Sequence, residues 1–145
     1  MANLVSLQWY GKSLVSMANK EVDLNSDTIK LMAATSIYVP NLDTHQYKSD
    51  VTNEVSGTNY TAGGIALTGC SISWSTATLP HHWVFDADDV NWAGPIPTCR
   101  YLIGYDSTPS TDATRPLLFV ATFDSDAIPS GVQWNANGIL TITPS

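Results

Sequence analysis

The chain has 145 residues, of which 43% are hydrophobic and only 13% are charged. This length suits one hydrophobic core and one domain, and the charged fraction is about half of the roughly 25% usual for a globular domain. Six Lys and Arg against 13 Asp and Glu give a formal net charge of −7, which argues against nucleic-acid binding because that function needs clustered cations.

The N-terminal sequence lacks a positive stretch followed by a long apolar run, and no window holds the 18 or so apolar residues of a membrane span. We therefore expect a protein that is made and kept in the cytoplasm, away from membranes. The two cysteines, Cys70 and Cys99, are too few for a disulfide scaffold. They are expected to be buried free thiols.

Residues 1–25 are predicted to form an N-terminal arm with a short helix, and residues 26–145 a β body. Four apolar residues of the arm recur at spacings of three and four: Leu7, Tyr10, Leu14 and Met17. This periodicity predicts a helix from about Leu7 to Asn19 with one apolar face. The apolar run from Thr28 to Thr35 is predicted to be the first strand.

No proline precedes Pro40 and eight lie from there to the end, so turns separate short runs in the rest of the chain. Tyr47 to Gly69 is predicted to be loop and edge strand. Six further strands are predicted, at Cys70 to Trp74, Trp83 to Phe85, Cys99 to Tyr105, Leu117 to Phe123, Val132 to Trp134 and Ile139 to Ile142. The Asn137-Gly138 pair predicts a tight hairpin between the last two.

Short strands at intervals of about ten to fifteen residues favour an antiparallel arrangement over alternating strands and helices. The predicted fold class is therefore mostly β, an antiparallel β-sandwich or barrel-like single domain with a short N-terminal helix. Five tryptophans each offer roughly 150–250 Å² of surface for a core or an oligomer interface. They are Trp9, Trp74, Trp83, Trp92 and Trp134.

Three groups of residues resemble pieces of metal or catalytic sites. His81 and His82 are adjacent, so on a strand they would point to opposite faces and could not share one ion. Asp23 to Asp27 opens like a calcium loop, but Thr28 and Ala34 occupy the positions where that loop needs Gly and Glu. The favoured interpretation is a solvent loop for His81 and His82 and a turn for Asp23 to Asp27.

The third group, Asp86, Asp88 and Asp89, offers carboxylates for acid–base work or cation binding, with an acidic turn as the simpler interpretation. The sequence contains no Gly-x-Ser-x-Gly elbow, phosphate loop or dinucleotide motif. We therefore predict a protein that is not an enzyme, without catalytic residues, metal ligands or a cofactor. A hydrolase would have to use Asp86, Asp88 and His82.

Several strings resemble, in order and over most of the chain, a family of small structural proteins of tailed bacteriophages, described as minor capsid or head decoration proteins. They are SDTIKLMAATS (residues 26–36), DVTNEVSGTNYTAGGIALTG (50–69), DADDVNW (86–92), STDATRPLL (110–118) and VQWNANGILTIT (132–143). The resemblance implies a β-sandwich-like domain with a short N-terminal helix. It also implies a cement role on the outer surface of an icosahedral head.

The implied partner is the phage major capsid protein, and the implied assembly is a homo-oligomer, with a trimer favoured over a dimer. The chain would be made in the bacterial host cytoplasm and placed on the capsid exterior of the virion. Six residues are the predicted protein contacts: Leu4, Leu7, Trp9, Tyr10, Tyr47 and Tyr60. The alternative is a minor tail or fibre-base protein that recognises a host glycan near Trp83, beside His81 and His82.

Overall fold

The computed structural model describes residues 2–76, 82–134 and 140–144, with His82 and residues 140–144 described by their backbone. These described residues form one α-helix, α1 Gly11–Ala18, and ten strands. The strands are β1 Leu4–Trp9, β2 Ile29–Ala34, β3 Ile65–Ala66, β4 Ser71–Ser75, β5 His82–Asp86, β6 Val90–Asn91, β7 Cys99–Asp106, β8 Leu117–Ala127, β9 Pro129–Trp134 and β10 Leu140–Pro144. The predicted mostly β class with a short N-terminal helix is confirmed.

Five strands form the main sheet in the order β1-β8-β7-β2-β3, and every neighbouring pair is antiparallel. A three-stranded sheet, β10-β9-β6, and a two-stranded ribbon, β4-β5, complete the β structure. Buried residues of β5, β6 and β9 share one core with buried residues of β2, β7 and β8. The smaller sheets therefore cover one face of the main sheet, as in a sandwich.

The centre of this first core is a cluster of aromatic rings around Phe119 of β8. The ring of Phe119 lies 5.7 Å from those of Phe85 and Trp134 and 5.6 Å from that of Trp9. A Cβ on Gly104, which is paired with Phe119 across β7 and β8, would overlap the Phe119 ring. The absence of a side chain at Gly104 therefore makes room for the central ring.

A second core covers the opposite face of the main sheet, where the loop after β2 folds back over it. Its buried residues are Tyr10, Met32, Ala34, Tyr38, Ile103, Tyr105, Leu117 and Val120. The hydroxyls of Tyr10 and Tyr38 lie 2.9 Å apart, and the Tyr38 hydroxyl lies 2.9 Å from Nδ1 of His45. This chain of hydrogen bonds satisfies two phenol groups that are each only 1% exposed.

The N-terminal segment differs from the prediction, because Leu4–Trp9 is an edge strand of the main sheet and not part of a separate arm or helix. Strand β1 pairs with β8 from Leu4↔Phe123 to Trp9↔Phe119. The helix begins only at Gly11, after an extended Tyr10 with φ −65° and ψ 134°. Leu7 therefore lies on a strand, and the predicted helical face that included it is wrong.

The later strand predictions are confirmed. Strand β2 matches the predicted run from Thr28 to Thr35, and β4, β5, β7, β8, β9 and β10 lie at the six runs named above. Strands β9 and β10 pair antiparallel from Leu140↔Trp134, while Asn137-Gly138 lies outside the described residues. Both cysteines are free thiols, as expected, but the expected burial holds only for Cys99, because Cys70 is half-buried.

Candidate binding surface

A groove of about 1020 Å³ runs between helix α1 and the β4-β5 ribbon. Leu14 and Met17 of α1 form one wall, and Ile72 and Trp83 of the ribbon form the other. The turn after the helix closes one side through Asp23, Leu24 and Asn25. We call this feature the α1 groove; it has the apolar lining with a few polar groups that is typical of binding sites.

The ribbon presents its aromatic residues on one face because of its register. Ile72 is paired with Phe85, and Trp74 with Trp83, and residues two apart on a strand share a face. Phe85 reaches the first core, whereas Trp74 and Trp83 are 51% and 68% exposed. The ribbon therefore extends an apolar surface outward from the core, and we call these two exposed side chains the tryptophan pair.

Helix α1 has an unusual orientation, because its buried residues are the serines Ser13 and Ser16. These small side chains let the helix lie close to the sheet. Leu14 is consequently 72% exposed and faces the groove, while Val15 is 50% exposed. Exposed large apolar side chains that lie together on a small protein mark contact sites more often than isolated ones do.

Polar side chains line one end of the α1 groove. Lys20 lies there with a positive φ of 61°. Hydrogen bonds from the Asn25 backbone N–H and the Ser26 side chain lower the pKa of Asp23, so this carboxylate is ionised at neutral pH. The groove thus combines an apolar body with one cation, one anion and the amide of Asn25.

Two of the predicted contact residues on the N-terminal segment, Trp9 and Tyr10, line the α1 groove, and of these two only Trp9 has a partly exposed ring. It is 38% exposed, and its indole packs edge-on against Phe85 at 5.9 Å. Leu4 and Leu7 are half-buried against the first core. Tyr10 is 1% exposed, so the prediction that its side chain contacts a partner is corrected: the ring belongs to the second core.

The two predicted contact residues of the long loop lie away from the groove and serve to hold the loop. The hydroxyl of Tyr47 donates to Glu21 at 3.3 Å. The hydroxyl of Tyr60 donates to Glu54 at 2.7 Å and accepts the backbone N–H of Ala33 at 3.0 Å. Both side chains are half-buried, so the structure does not join them with Trp9 into one surface.

Three aspartates, Asp86 at the end of β5 and Asp88 and Asp89 before β6, hold the connecting turn together. Asp86 accepts the N–H of Ala87 at 3.0 Å, and Asp88 accepts the hydroxyl of Thr68 at 2.9 Å. Asp89 accepts the N–H of Trp134 at 3.0 Å and so ties the turn to β9. These contacts agree with the acidic-turn interpretation. His81 and the His82 ring lie outside the described residues.

Leu14 and Trp74 were not predicted as contact residues, although both contribute to the exposed surface. A signal for Trp74 was present, since Ile72 and Trp74 alternate with serines in a two-faced strand pattern. No comparable signal marked Leu14, because its spacing of four from Tyr10 and of three from Met17 indicates a buried helical face. Leu14 is exposed because the helix turns its two serines, and not Leu14, toward the sheet.

Comparison with family models, with curated proteins and with solved structures returns no match. Within residues 2–76, 82–134 and 140–144, no group of three or more His, Cys, Asp or Glu side chains is placed to hold a metal ion. The same part of the chain contains no helix long and apolar enough to cross a membrane.

Proposed function

We propose that this chain is a non-enzymatic structural protein of a tailed-bacteriophage virion. In this proposal it decorates the outside of the head and cements the lattice of the major capsid protein. The single observation that carries the proposal is the exposed apolar surface formed by Leu14 and the tryptophan pair beside the α1 groove. The resemblance of the sequence to small phage head proteins supplies the identity of the partner.

The surface has the chemistry of a protein contact. Burial of apolar area is worth roughly 25 cal/mol per Å², so covering the exposed part of one indole contributes on the order of 2–3 kcal/mol before the costs of association. Tryptophans also recur at the centres of protein interfaces. One copy of such a site binds weakly, which suits a protein that acts in many copies.

Avidity would allow many weak contacts together to stabilise the capsid. A closed homo-oligomer bound at a capsid symmetry axis engages several identical subunits at once, and linked sites strengthen binding without any new contact. We propose a trimer at threefold positions, with a dimer at twofold positions as the alternative. Each copy would place its α1 groove against one subunit of the lattice.

A second function is favoured by one specific observation. Trp83 lines the same groove as Asp23 and Asn25, and a sugar ring stacks its C–H face on an indole while its hydroxyls bond polar side chains. This arrangement suits a host glycan and therefore the alternative of a minor tail or fibre-base protein. The two functions use the same groove but different partners.

Binding of the chain to phage heads that lack it distinguishes the two proposals. Purified recombinant chain is added to such heads, and the bound copies are counted by quantitative mass spectrometry. The cement proposal predicts saturation at a number fixed by capsid symmetry, and heads that then survive heating better. Failure to bind heads, together with binding to a defined oligosaccharide on a glycan array, would replace it with the host-recognition proposal.

A further inference from the structure

Two carboxyl groups meet where the chain enters β2 and leaves β7. Asp106 is the last residue of β7, is paired with Ile29, and is fully buried. Its Oδ1 accepts the backbone N–H of Thr108 at 2.8 Å. Its Oδ2 is buried without a protein donor. The neighbouring acid is Asp27, because the next residue, Thr28, donates its backbone N–H to Thr108 Oγ1 at 2.9 Å and accepts the backbone N–H of Ser107 at 2.8 Å.

Asp27 connects this buried carboxyl to the wall of the α1 groove. Its Oδ2 accepts the backbone N–H of Asp23 at 2.6 Å, and its own N–H donates to the carbonyl of Asp23 at 2.8 Å. These two bonds close the turn that carries Leu24 and Asn25, both of which line the groove. The position of Asp27 therefore sets the position of that wall.

Two carboxyl groups close together at a buried site resist being ionised together, so the buried one keeps its proton to a higher pH than an isolated Asp does. Burial raises the pKa of Asp106 to about 6, Thr108 opposes the rise through hydrogen bonds, and Asp27 adds to it. Among the described residues, no Lys or Arg is a main influence on the pKa of Asp106, and the Arg115 guanidinium engages the Pro109 carbonyl and Asp112 instead.

We propose that Asp27 and Asp106 form a proton-binding clasp that fastens the groove wall to the end of β7. With the proton present, the Asp106 carboxyl donates to the Asp27 carboxylate, which also accepts the Asp23 N–H. When the proton leaves, two anions repel, and the half-buried Asp27 is the one that moves toward solvent. The inference concerns the shape of the groove and holds whichever partner the groove binds.

The sign of the effect follows from the raised pKa. Stability from the clasp is fully present below the ordinary pKa of Asp, 3.8, and is lost as pH rises through about 6. The folded protein should therefore melt at a lower temperature at pH 7.5 than at pH 5. For a group of this kind in a chain of this size, a difference of roughly 3 °C or more is expected.

The test is a pH titration of the full chain followed by NMR and by thermal unfolding. In the wild type, we expect one carboxyl ¹³C resonance and the Asp23 amide to shift with a common midpoint near 6. Asp106→Asn keeps a donor toward Asp27 at every pH, so it should flatten the pH dependence of the melting temperature. Asp43→Asn is the matched control, since Asp43 is exposed and the change removes the same charge.

Two results would overturn the proposal. One is a wild-type titration in which every carboxyl has its midpoint below pH 5, or an Asp23 amide that stays fixed across the range. The other is Ca²⁺ raising the melting temperature of the wild type at pH 7.5 but not that of Asp106→Asn, which would make the pair a cation site. The titration needs no variant, so a poorly folded Asp106→Asn chain leaves the first test intact.

Discussion

Trp74 and Trp83 face each other across the β4-β5 ladder, with ring centroids 5.1 Å apart and ring planes at 70°. This edge-to-face geometry is the one that aromatic pairs prefer. The pair lies beyond the first core. Two register positions back along the ribbon, Ile72 and Phe85 join the ribbon to that core. The ribbon therefore presents a rigid aromatic surface, and rigid anchors lose little entropy on binding.

Replacing an exposed member of this surface should weaken lattice binding with little effect on folding. Because Trp83 is 68% exposed, Trp83→Ser should change the free energy of unfolding by less than about 1 kcal/mol, yet reduce affinity for heads roughly tenfold or more per copy. Circular dichroism melts and binding isotherms on heads measure the two effects. Val39→Ser is the matched control, since Val39 is 74% exposed on the loop over the second core; equal losses for both variants would contradict the assignment of the surface.

The hydroxyl of Tyr38 should matter for stability, because it joins Tyr10 to His45 inside the second core. Tyr38→Phe leaves the buried Tyr10 hydroxyl without its partner and should cost about 1–3 kcal/mol of unfolding free energy. Urea unfolding measures this loss of unfolding free energy. Tyr101→Phe is the control, as that half-buried ring touches Tyr38 edge-on at 5.7 Å, and a comparable loss there would show that the hydrogen bonds are not the cause.

Gly104 should not tolerate a methyl group. Since a Cβ would overlap the Phe119 ring, Gly104→Ala should destabilise the fold by about 2–3 kcal/mol. A double-mutant cycle tests this contact: the thermal stabilities of Gly104→Ala, Phe119→Leu and the double variant are compared with that of the wild type. The smaller Leu should relieve part of the overlap, so the double variant should lose less than the sum of the two single losses; simple additivity would argue against this contact.

The two thiols should react at different rates in the native state. Burial, with a smaller contribution from Asp126, raises the pKa of Cys99 to about 12 from its ordinary 9.0, which lowers the thiolate fraction about a thousandfold at pH 8. In Cys70→Ser, a disulfide reagent should therefore label Cys99 only after unfolding. In Cys99→Ser, the half-buried Cys70 should react slowly in the native state; rapid native labelling of Cys99 would contradict the burial.

The sequence predicted those strands of the main sheet whose apolar pattern is visible within the strand itself. Alternation or a continuous apolar run marked β2, β7 and β8, and all three are present. The second half of β1, from Leu7 to Trp9, was mistaken for helix because Leu7 shares a helical spacing with later apolar residues. Pairing with residues more than 100 positions away on β8 makes this segment a strand. Local pattern cannot report such a contact.

The candidate surface was less predictable than the fold. Sequence alone showed five tryptophans but not which would be exposed, since exposure depends on a two-stranded ribbon that leaves the main sheet. The sequence did not predict the orientation of α1 either. The pattern indicated that Leu14 is buried, but the buried residues of the helix are Ser13 and Ser16.

Electron microscopy of the intact virion would show where on the particle this chain lies. If it cements the head, repeated density for the chain is expected at symmetry positions on the outside of the head, with helix α1 and the tryptophan pair against the major capsid protein. Particles that lack the chain, or a chain found on the tail with the α1 groove facing solvent, would contradict the cement proposal.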